Sequence, residues 1–483
     1  MCGLGLALAA IAITLLLSPW RSNSYDVDVM AEVTKSMVTT GTFGVPVDGF
    51  NGPYSSYGLG MSLVFFPPYW LAEHLHRDPM RWLMGSNAFL FALTIVAVFW
   101  LTLGCGATRR QGVVTSLLVG FGTLLFPHAV TGYSEMGVAL GIAVGLASLT
   151  MVSRYPLRAS ATAGAAAGLT VLMRTDSLLL VVPILAAGAW LLGGRARWLA
   201  QAAFAAGVAP WLCAVGAYNT IRFGAPWHLG YAGVSSFDHS LLLGLYGLTL
   251  SPNAGLLWYV PLVVVAAFGL RRALHHQPAL TAVALALFLI RFPVYAAFWA
   301  WNGGMVWGPR YLVPAMPVLA LGILEVVRGF PTLRTVPRMV VPAIVAVSML
   351  VQLVGATVDT QYTELRAAVT RVMVKVPGPQ QIHFMTRPDV VAEFDGYSFD
   401  WHYFLITDEA NSLLHGRNLM SRYLVREQVV AGDARGADPH KGAVALFGAL
   451  FAVGLGLALR GSREGSRRTV VSAGSDPARP RRT

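Results

Sequence analysis

The segment YGLGMSLVFFPPYWLAEHLH, Tyr57–His76, decides how the chain is threaded. It is apolar over a length close to the ~20 residues that cross a bilayer as a helix. The Pro67-Pro68 pair near its middle argues against a span, because two missing backbone donors break a straight helix. If the segment did span, every later basic loop would change sides. We therefore read it as a bent, interfacial or re-entrant hairpin on the outer face, with Phe65, Phe66, Tyr69 and Trp70 at headgroup level.

With that choice made, the remaining apolar runs lie near residues 2–18, 82–103, 112–128, 134–152, 159–173, 176–193, 198–217, 255–270, 279–298, 311–327, 339–356 and 442–459. The composition agrees with a membrane protein: 55% of residues are hydrophobic, the mean hydropathy is +0.59 and 12% are charged. A soluble domain carries ~25% charged residues. Runs of this length read as helices, since a barrel would show ~10-residue alternating segments. The expected fold is all-α, a polytopic transmembrane helical bundle of about 12 spans with extracytoplasmic loops.

The linking segments with Arg109 and Arg110, Arg154 and Arg158, Arg195 and Arg197, Arg271 and Arg272, and Arg328, Arg334 and Arg338 fall on one side in this threading. Arg460 and the basic residues after it fall there too, so that side reads as cytoplasmic. Of the 23 Asp and Glu, 20 lie on the other side, the exceptions being Glu325, Glu464 and Asp476. Carboxylates do not set topology, so their one-sidedness asks for a functional reason. The net charge of +12 is spread over these short loops, which excludes a nucleic-acid patch. Cys2, Cys105 and Cys213 give neither a disulfide framework nor metal-ligand spacing.

The organisation expected is a transmembrane core over 1–356 with an outer loop at 19–81, then an extracytoplasmic segment or small cap over 357–441. A last span at 442–460 and a basic, disordered cytoplasmic tail at 461–483 follow. No A-x-A-like cleavage site follows the first apolar run, which is read as a retained span.

Asp26 and Asp28 in SNSYDVDVMAEVTKSM, Glu135 in TGYSEMG and Asp176 in LMRTDSLL all lie at the outer ends of helices in this threading. They are able to converge on one outward cavity, where partial desolvation raises the basicity of one carboxylate while its neighbour holds a cation. Solvated loop carboxylates are the plain alternative for Asp26 and Asp28. Arg174 stands on the outer side against the positive-inside trend, so it needs an anion: Asp176 as structural partner, or a lipid phosphate. Arg291 lies within a span and Arg310 opens the next one. Three arginines near one rim suit a phosphate with a hydrophobic tail. No phosphate-binding GxxxxGK[ST] loop or dinucleotide fingerprint occurs.

Several motifs, in order over about the first 360 residues, resemble the GT-C membrane glycosyltransferases, such as protein mannosyltransferases and lipid A aminoarabinose transferases. The acidic pair Asp26 and Asp28 after the first span resembles the family's catalytic loop, although the pair is Asp-Val-Asp rather than Asp-Glu or Glu-Asp. By its spacing to TKSMVTTGTF, Asp26 is the more similar to the family aspartate. YSSYGLGMSLVFFPPYWLA, VTGYSEMGVAL and GLTVLMRTDSLLLVVP resemble the juxtamembrane segment, the second acidic position and the Arg-Pro-acid turn. YNTIRFGAPWHLGY, LYGLTLSPNAGLLWYVP and AWNGGMVWGPRYLVPAMP resemble stretches that recur together in bacterial members.

The resemblance implies transfer of a sugar from a polyprenyl-phosphate carrier to a glycan, lipid or protein acceptor hydroxyl on the extracytoplasmic face of the plasma membrane. It implies Asp26, Asp28 and Glu135 as catalytic residues and Arg174, Arg310 and Arg291 as the phosphate site. Tyr57, Asp176, His228, Tyr231, Trp301 and Asn302 are the implied substrate contacts. No cofactor is certain; a divalent cation, Mg or Mn, would fall to Asp28 and Glu135. The alternative is a transporter or flippase of lipid-linked sugars, whose polar site would sit at the midplane between repeated halves.

Overall fold

The computed structural model describes residues 1–19, 22, 24–49, 52–230, 236–304, 306–360, 398–401, 404–421, 423–424 and 439–473, with side chains left out at 46–49, 52–53 and 464–473. The chain is a helical membrane bundle, and every one of the twelve expected apolar runs lies in helix. Among the described residues, six helices are long and apolar enough to cross a membrane, and Cys2–Leu17, Glu135–Leu149 and Leu241–Leu250 are shorter apolar helices. Several runs are broken: Ser177–Leu180 is followed by Val182–Gly193, and Pro278–Leu289 by Arg291–Ala296.

Glu135–Leu149 runs through the interior and packs on Ser86–Gly104, on Pro156–Met173 and on the segment Arg310–Leu319. That last segment is a 3-10 helix, which continues as the α-helix Ala320–Gly329. Pro314 and Pro317 lack the donors an α-helix there would use, and this supports the tighter winding. Elsewhere small residues let backbones touch, the usual way helices associate where lipid is as apolar as leucine. Cys2–Leu17 crosses the last helix, Lys441–Ala473, at Gly5 and Gly454, where a Cβ on Gly454 would stand 2.5 Å from the Ala9 nitrogen.

One end of the bundle gathers the segments that the threading placed together. Arg328 donates to Glu325 and, at 2.7 Å, to the Cys105 carbonyl, while His276 Nδ1 lies 2.9 Å from Glu325. These residues adjoin the basic loops at 109–110, 271–272 and 328–338.

Two expectations, the hairpin at 57–76 and the start of the tail at 461, need correction. The Leu59–His74 segment is one continuous helix with Pro67 and Pro68 inside it, not a hairpin. Phe65 and Tyr69 are buried in the core while Trp70 is exposed, so packing of one face compensates for the lost backbone bonds. Among its described residues, the first outer loop holds the helix Tyr25–Thr39 and a hairpin of Gly44–Gly49 with Gly52–Tyr54. The last helix continues past residue 460 to Ala473, where a tail was expected; once a helix is nucleated, each added residue costs little. Residues 474–483 and most of 357–441 lie outside the described residues.

Candidate functional site

Five charged side chains from four separate segments form one continuous chain of ion pairs. Asp26 Oδ2 accepts from Arg310 Nη2 at 2.5 Å. Glu135 Oε1 accepts from Arg310 Nε at 2.6 Å and from Arg174 Nη1 at 2.7 Å. Arg174 also donates to Asp176 Oδ2 through Nε and Nη2, each at 3.3 Å. The Tyr295 hydroxyl donates to Asp176 and closes the far end, and the Tyr57 hydroxyl donates to Asp26 Oδ1 at 2.6 Å and closes the near one.

Local structure explains each placement. Asp26 stands in the first turn of Tyr25–Thr39, and Glu135 is the first residue of Glu135–Leu149, where a negative charge meets the positive helix end. Arg174 lies in extended backbone after Pro156–Met173, and Asp176 stands just before the next short helix without capping it, so the break between two apolar runs is what delivers both. Arg310 opens the 3-10 segment after a glycine-rich turn. Gly303 there has φ +84°, and a Cβ on it would meet the Arg310 Cβ at 2.8 Å, so both backbone and space demand glycine.

Aromatic rings wall the ion pairs. Arg310 lies 3.9 Å from the centroid of Tyr133 and Arg174 5.4 Å from that of Tyr311, which stacks on Tyr295 at 4.3 Å. Arg222 fixes the Tyr57 end from another segment: it donates to the Ser55 carbonyl and, at 3.1 Å, to the Tyr57 carbonyl, and holds Asn219 at 2.7 Å. The sequence reading did not single out Tyr133, Tyr295, Tyr311 or Arg222 as site residues. Tyr133, Tyr311 and Arg222 stand inside the motifs that carry Glu135, Arg310 and His228, and Tyr295 stands four residues after Arg291.

Asp26 and Asp28 are not a pair in space. Two residues along a helix are about 200° apart, so the Tyr25–Thr39 helix turns Asp28 to another face, where it is exposed and hydrogen-bonds Ser22. Their electrostatics differ accordingly. Burial pushes the Asp26 carboxyl up, but Arg310, the Tyr57 hydroxyl and Arg174 together outweigh it and hold the group below its ordinary value. Partial loss of water around the Asp28 carboxyl raises that group, with Ser22 opposing and Glu32 helping. The expected rise in basicity thus falls on Asp28, while the carboxylate inside the network is the more acidic one.

The expected cation pair is not assembled. Glu135 Oε1 already takes two guanidinium groups and Asp28 lies on another face, so these two residues do not fit a shared Mg or Mn ion. Among the described residues, no group of three or more His, Cys, Asp or Glu is placed to hold a metal.

Arg291 is 1% exposed and donates Nη1 to the Tyr311 carbonyl at 3.3 Å. Its Nε and Nη2 have no hydrogen-bond partner among the described residues. Trp301 and Asn302 are buried: Trp301 stacks on His239 and on Phe399, and Asn302 donates to Ser398 at 3.1 Å. His228 is exposed beside Phe223, and Tyr231 lies outside the described residues.

No protein-family model and no curated protein matches the sequence. Among solved structures, the chain is similar to the Archaeoglobus fulgidus oligosaccharyltransferase in complex with Zn and sulfate: 14% identity, 82% of this chain and 57% of that chain covered, TM-score 0.47. It is also similar to ArnT from Cupriavidus metallidurans bound to undecaprenyl phosphate, with 16% identity, 98% of this chain and 78% of that chain covered and a TM-score of 0.43. A third similar structure is the archaeal oligosaccharyltransferase AglB from Archaeoglobus fulgidus with an inhibitory peptide and a dolichol-phosphate: 11% identity, 84% of this chain and 55% of that chain, TM-score 0.42. The chain thus spans less than two thirds of the length of both oligosaccharyltransferase structures.

Proposed function

We propose that the protein is a membrane glycosyltransferase, which moves one sugar from a polyprenyl-phosphate carrier to an acceptor hydroxyl on the extracytoplasmic face, with inversion at the anomeric carbon. The observation that carries this reading is the ion-pair chain Asp26–Arg310–Glu135–Arg174–Asp176. It sets carboxylates and two guanidinium groups side by side, the groups that a proton acceptor and a phosphate site in such an enzyme need. The motif resemblance supports the same reading.

In a single displacement the acceptor oxygen forms its bond to the anomeric carbon as the bond from that carbon to the phosphate oxygen breaks. Asp26 accepts the acceptor proton, and the polyprenyl phosphate leaves with the bonding electron pair. Negative charge grows on that phosphate in the transition state, where preorganised guanidinium groups stabilise it most. Arg310 and Arg174 supply them, and the two unpaired nitrogens of Arg291 are a further place for an anionic oxygen.

The resting ion pairs have a consequence for the order of events. Arg310 now neutralises Asp26, and an arriving phosphate competes for that guanidinium. As Arg310 turns to the phosphate, Asp26 loses a cation that keeps it a weak base. Donor binding therefore activates the base.

The test is transfer by purified protein in nanodiscs from a panel of radiolabelled polyprenyl-phosphate sugars to an envelope extract. Label transferred from one donor supports the reading and names the sugar. No transfer from any donor, with label crossing the bilayer of proteoliposomes instead, would replace it with a lipid-linked sugar flippase.

A further inference from the structure

Asp26 presents its two oxygens to two different donors. Oδ1 accepts from the Tyr57 hydroxyl at 2.6 Å and Oδ2 from Arg310 Nη2 at 2.5 Å. Arg310 carries a charge that a phosphate attracts. The phenol is neutral and has a single proton to give, which it places on Oδ1.

Tyr57 is also held firmly by its surroundings. Its own N–H donates to Ser55 Oγ at 3.0 Å, while Arg222 takes the Ser55 and Tyr57 carbonyls. Arg222 is 5% exposed in the last turn of the helix Arg197–Phe223. Its guanidinium lies 3.7 Å from the centroid of the Tyr218 ring and 4.5 Å from that of Phe223, and the Asn219 it bonds donates to the Pro226 carbonyl at 2.9 Å. The residues after Tyr57 lie against the end of Pro156–Met173: a Cβ on Gly58 would stand 2.6 Å from the Leu172 carbonyl oxygen, and one on Gly60 2.8 Å from the Met173 Cα. The helix that follows, Leu59–His74, is tied to the helix that carries Asp26. Thr34 donates to the Ser62 carbonyl at 3.1 Å, and Ser62 donates to the Met30 carbonyl at 3.0 Å.

We infer that Tyr57, set in place by Arg222, is a positioning residue that keeps Oδ1 of Asp26 occupied while the donor phosphate draws Arg310 away, and that Oδ2 takes the acceptor proton. The inference rests on the proposed glycosyltransferase activity, with Asp26 as its base. The acceptor O–H bond breaks as its oxygen bonds the anomeric carbon, and the proton passes to Oδ2. The electron pair of the broken sugar–phosphate bond leaves with the phosphate. With Oδ1 tied, the carboxylate does not turn to follow Arg310, so the vacated oxygen keeps its direction. Tyr57 then acts through Asp26, and not as the substrate contact that the motif resemblance implies.

The charged and titratable groups that act on Asp26 are Arg310, Arg174, Tyr57, Glu135, Tyr133 and Tyr311. Burial raises the Asp26 carboxyl, and Arg310 and then the Tyr57 hydroxyl lower it, so taking that hydroxyl away moves the carboxyl up.

Tyr57→Phe removes the hydroxyl alone. In the transfer assay it should lower kcat about tenfold, the worth of one hydrogen bond to a charged group, and move the acid limb of kcat/KM to higher pH with the donor KM unchanged. Arg222→Gln should do the same, and Arg222→Lys should recover part of the loss. Tyr57→Phe combined with Arg222→Gln should be no worse than the worse single variant, because both act through one hydrogen bond. An unmoved acid limb in Tyr57→Phe, or additive losses in the pair, overturns the inference. A raised donor KM in Arg222→Gln overturns it too, by putting Arg222 on the donor phosphate itself. A second readout needs no activity. In full-chain protein carrying 3-fluorotyrosine in nanodiscs, the Tyr57 fluorine signal, identified by its loss in Tyr57→Phe, should move in both Asp26→Asn and Arg222→Gln. A signal unmoved in either variant breaks the link. If it moves in both while wild type transfers no sugar from any donor, the enzyme reading falls and takes the Oδ2 assignment with it, and the Arg222–Tyr57–Asp26 contact stands.

Discussion

The Arg310 guanidinium donates to Asp26 at 2.5 Å across 284 residues of sequence. Burial alone would raise the Asp26 carboxyl, and Arg310 is the leading cause of its net fall. Asp26 is therefore ionised at neutral pH, and the stability it adds is present above its unfolded value of ~3.9 and lost as pH falls through the lowered one. The acid limb of kcat/KM should lie below the ordinary carboxylate range. In Arg310→Gln burial acts with less opposition, so the limb should move to higher pH on top of the lost rate. A limb at the same pH in both proteins would mean that Asp26 does not set it.

Asp28 should matter far less than its neighbour. It faces away from the ion pairs, so Asp28→Asn should keep turnover within about tenfold, against the ~10²–10⁴-fold that general-base action supplies. Comparing kcat for the two Asn variants decides between them. A larger loss at Asp28 would move the base to the carboxylate whose affinity for protons is raised.

Arg174→Gln should raise the donor KM more than it lowers kcat for a donor with a truncated prenyl tail. Its nearest partners, Glu135 and Asp176, stay in place, so a pure stability loss with unchanged donor KM would leave Arg174 as their structural counter-ion.

Glu135 bridges both arginines with a side chain 1% exposed. Glu135→Gln takes one carboxylate from both guanidinium groups while Asp26 still holds Arg310 and Asp176 still holds Arg174, so it should cost less than the about 3–5 kcal/mol of a buried charge left with no partner. Thermal unfolding in detergent measures it. Arg174→Gln in the same chain should recover part of the loss, and strictly additive losses would show that the two do not interact.

How much of this was legible in the sequence follows from what each signal depends on. Apolar runs depend only on local composition, and all twelve proved helical. The four charged positions Asp26, Glu135, Arg174 and Arg310 were visible because charge is expensive beside a membrane and each stands at or near the end of an apolar run. The Tyr25–Thr39 helix was not visible: its polar, β-branched residues read as loop, and it forms because Val27, Met30 and Val33 pack against neighbouring elements. That helix also separates Asp26 from Asp28, which a loop reading leaves together. The Leu59–His74 helix was obscured by its two prolines, whose lost hydrogen bonds are outweighed by burial of Phe65 and Met61. Tyr133, Tyr295 and Tyr311 are ordinary aromatic residues in apolar surroundings until the fold sets them against the arginines.

The central claim is that Asp26 acts as the base in sugar transfer from a lipid-phosphate donor, and single-turnover transfer by wild type and Asp26→Asn tests it most directly. With the donor bound to saturation, the account predicts that Asp26→Asn retains donor affinity and loses about 10²–10⁴-fold in the transfer step. Transfer at the wild-type rate in that variant would contradict it.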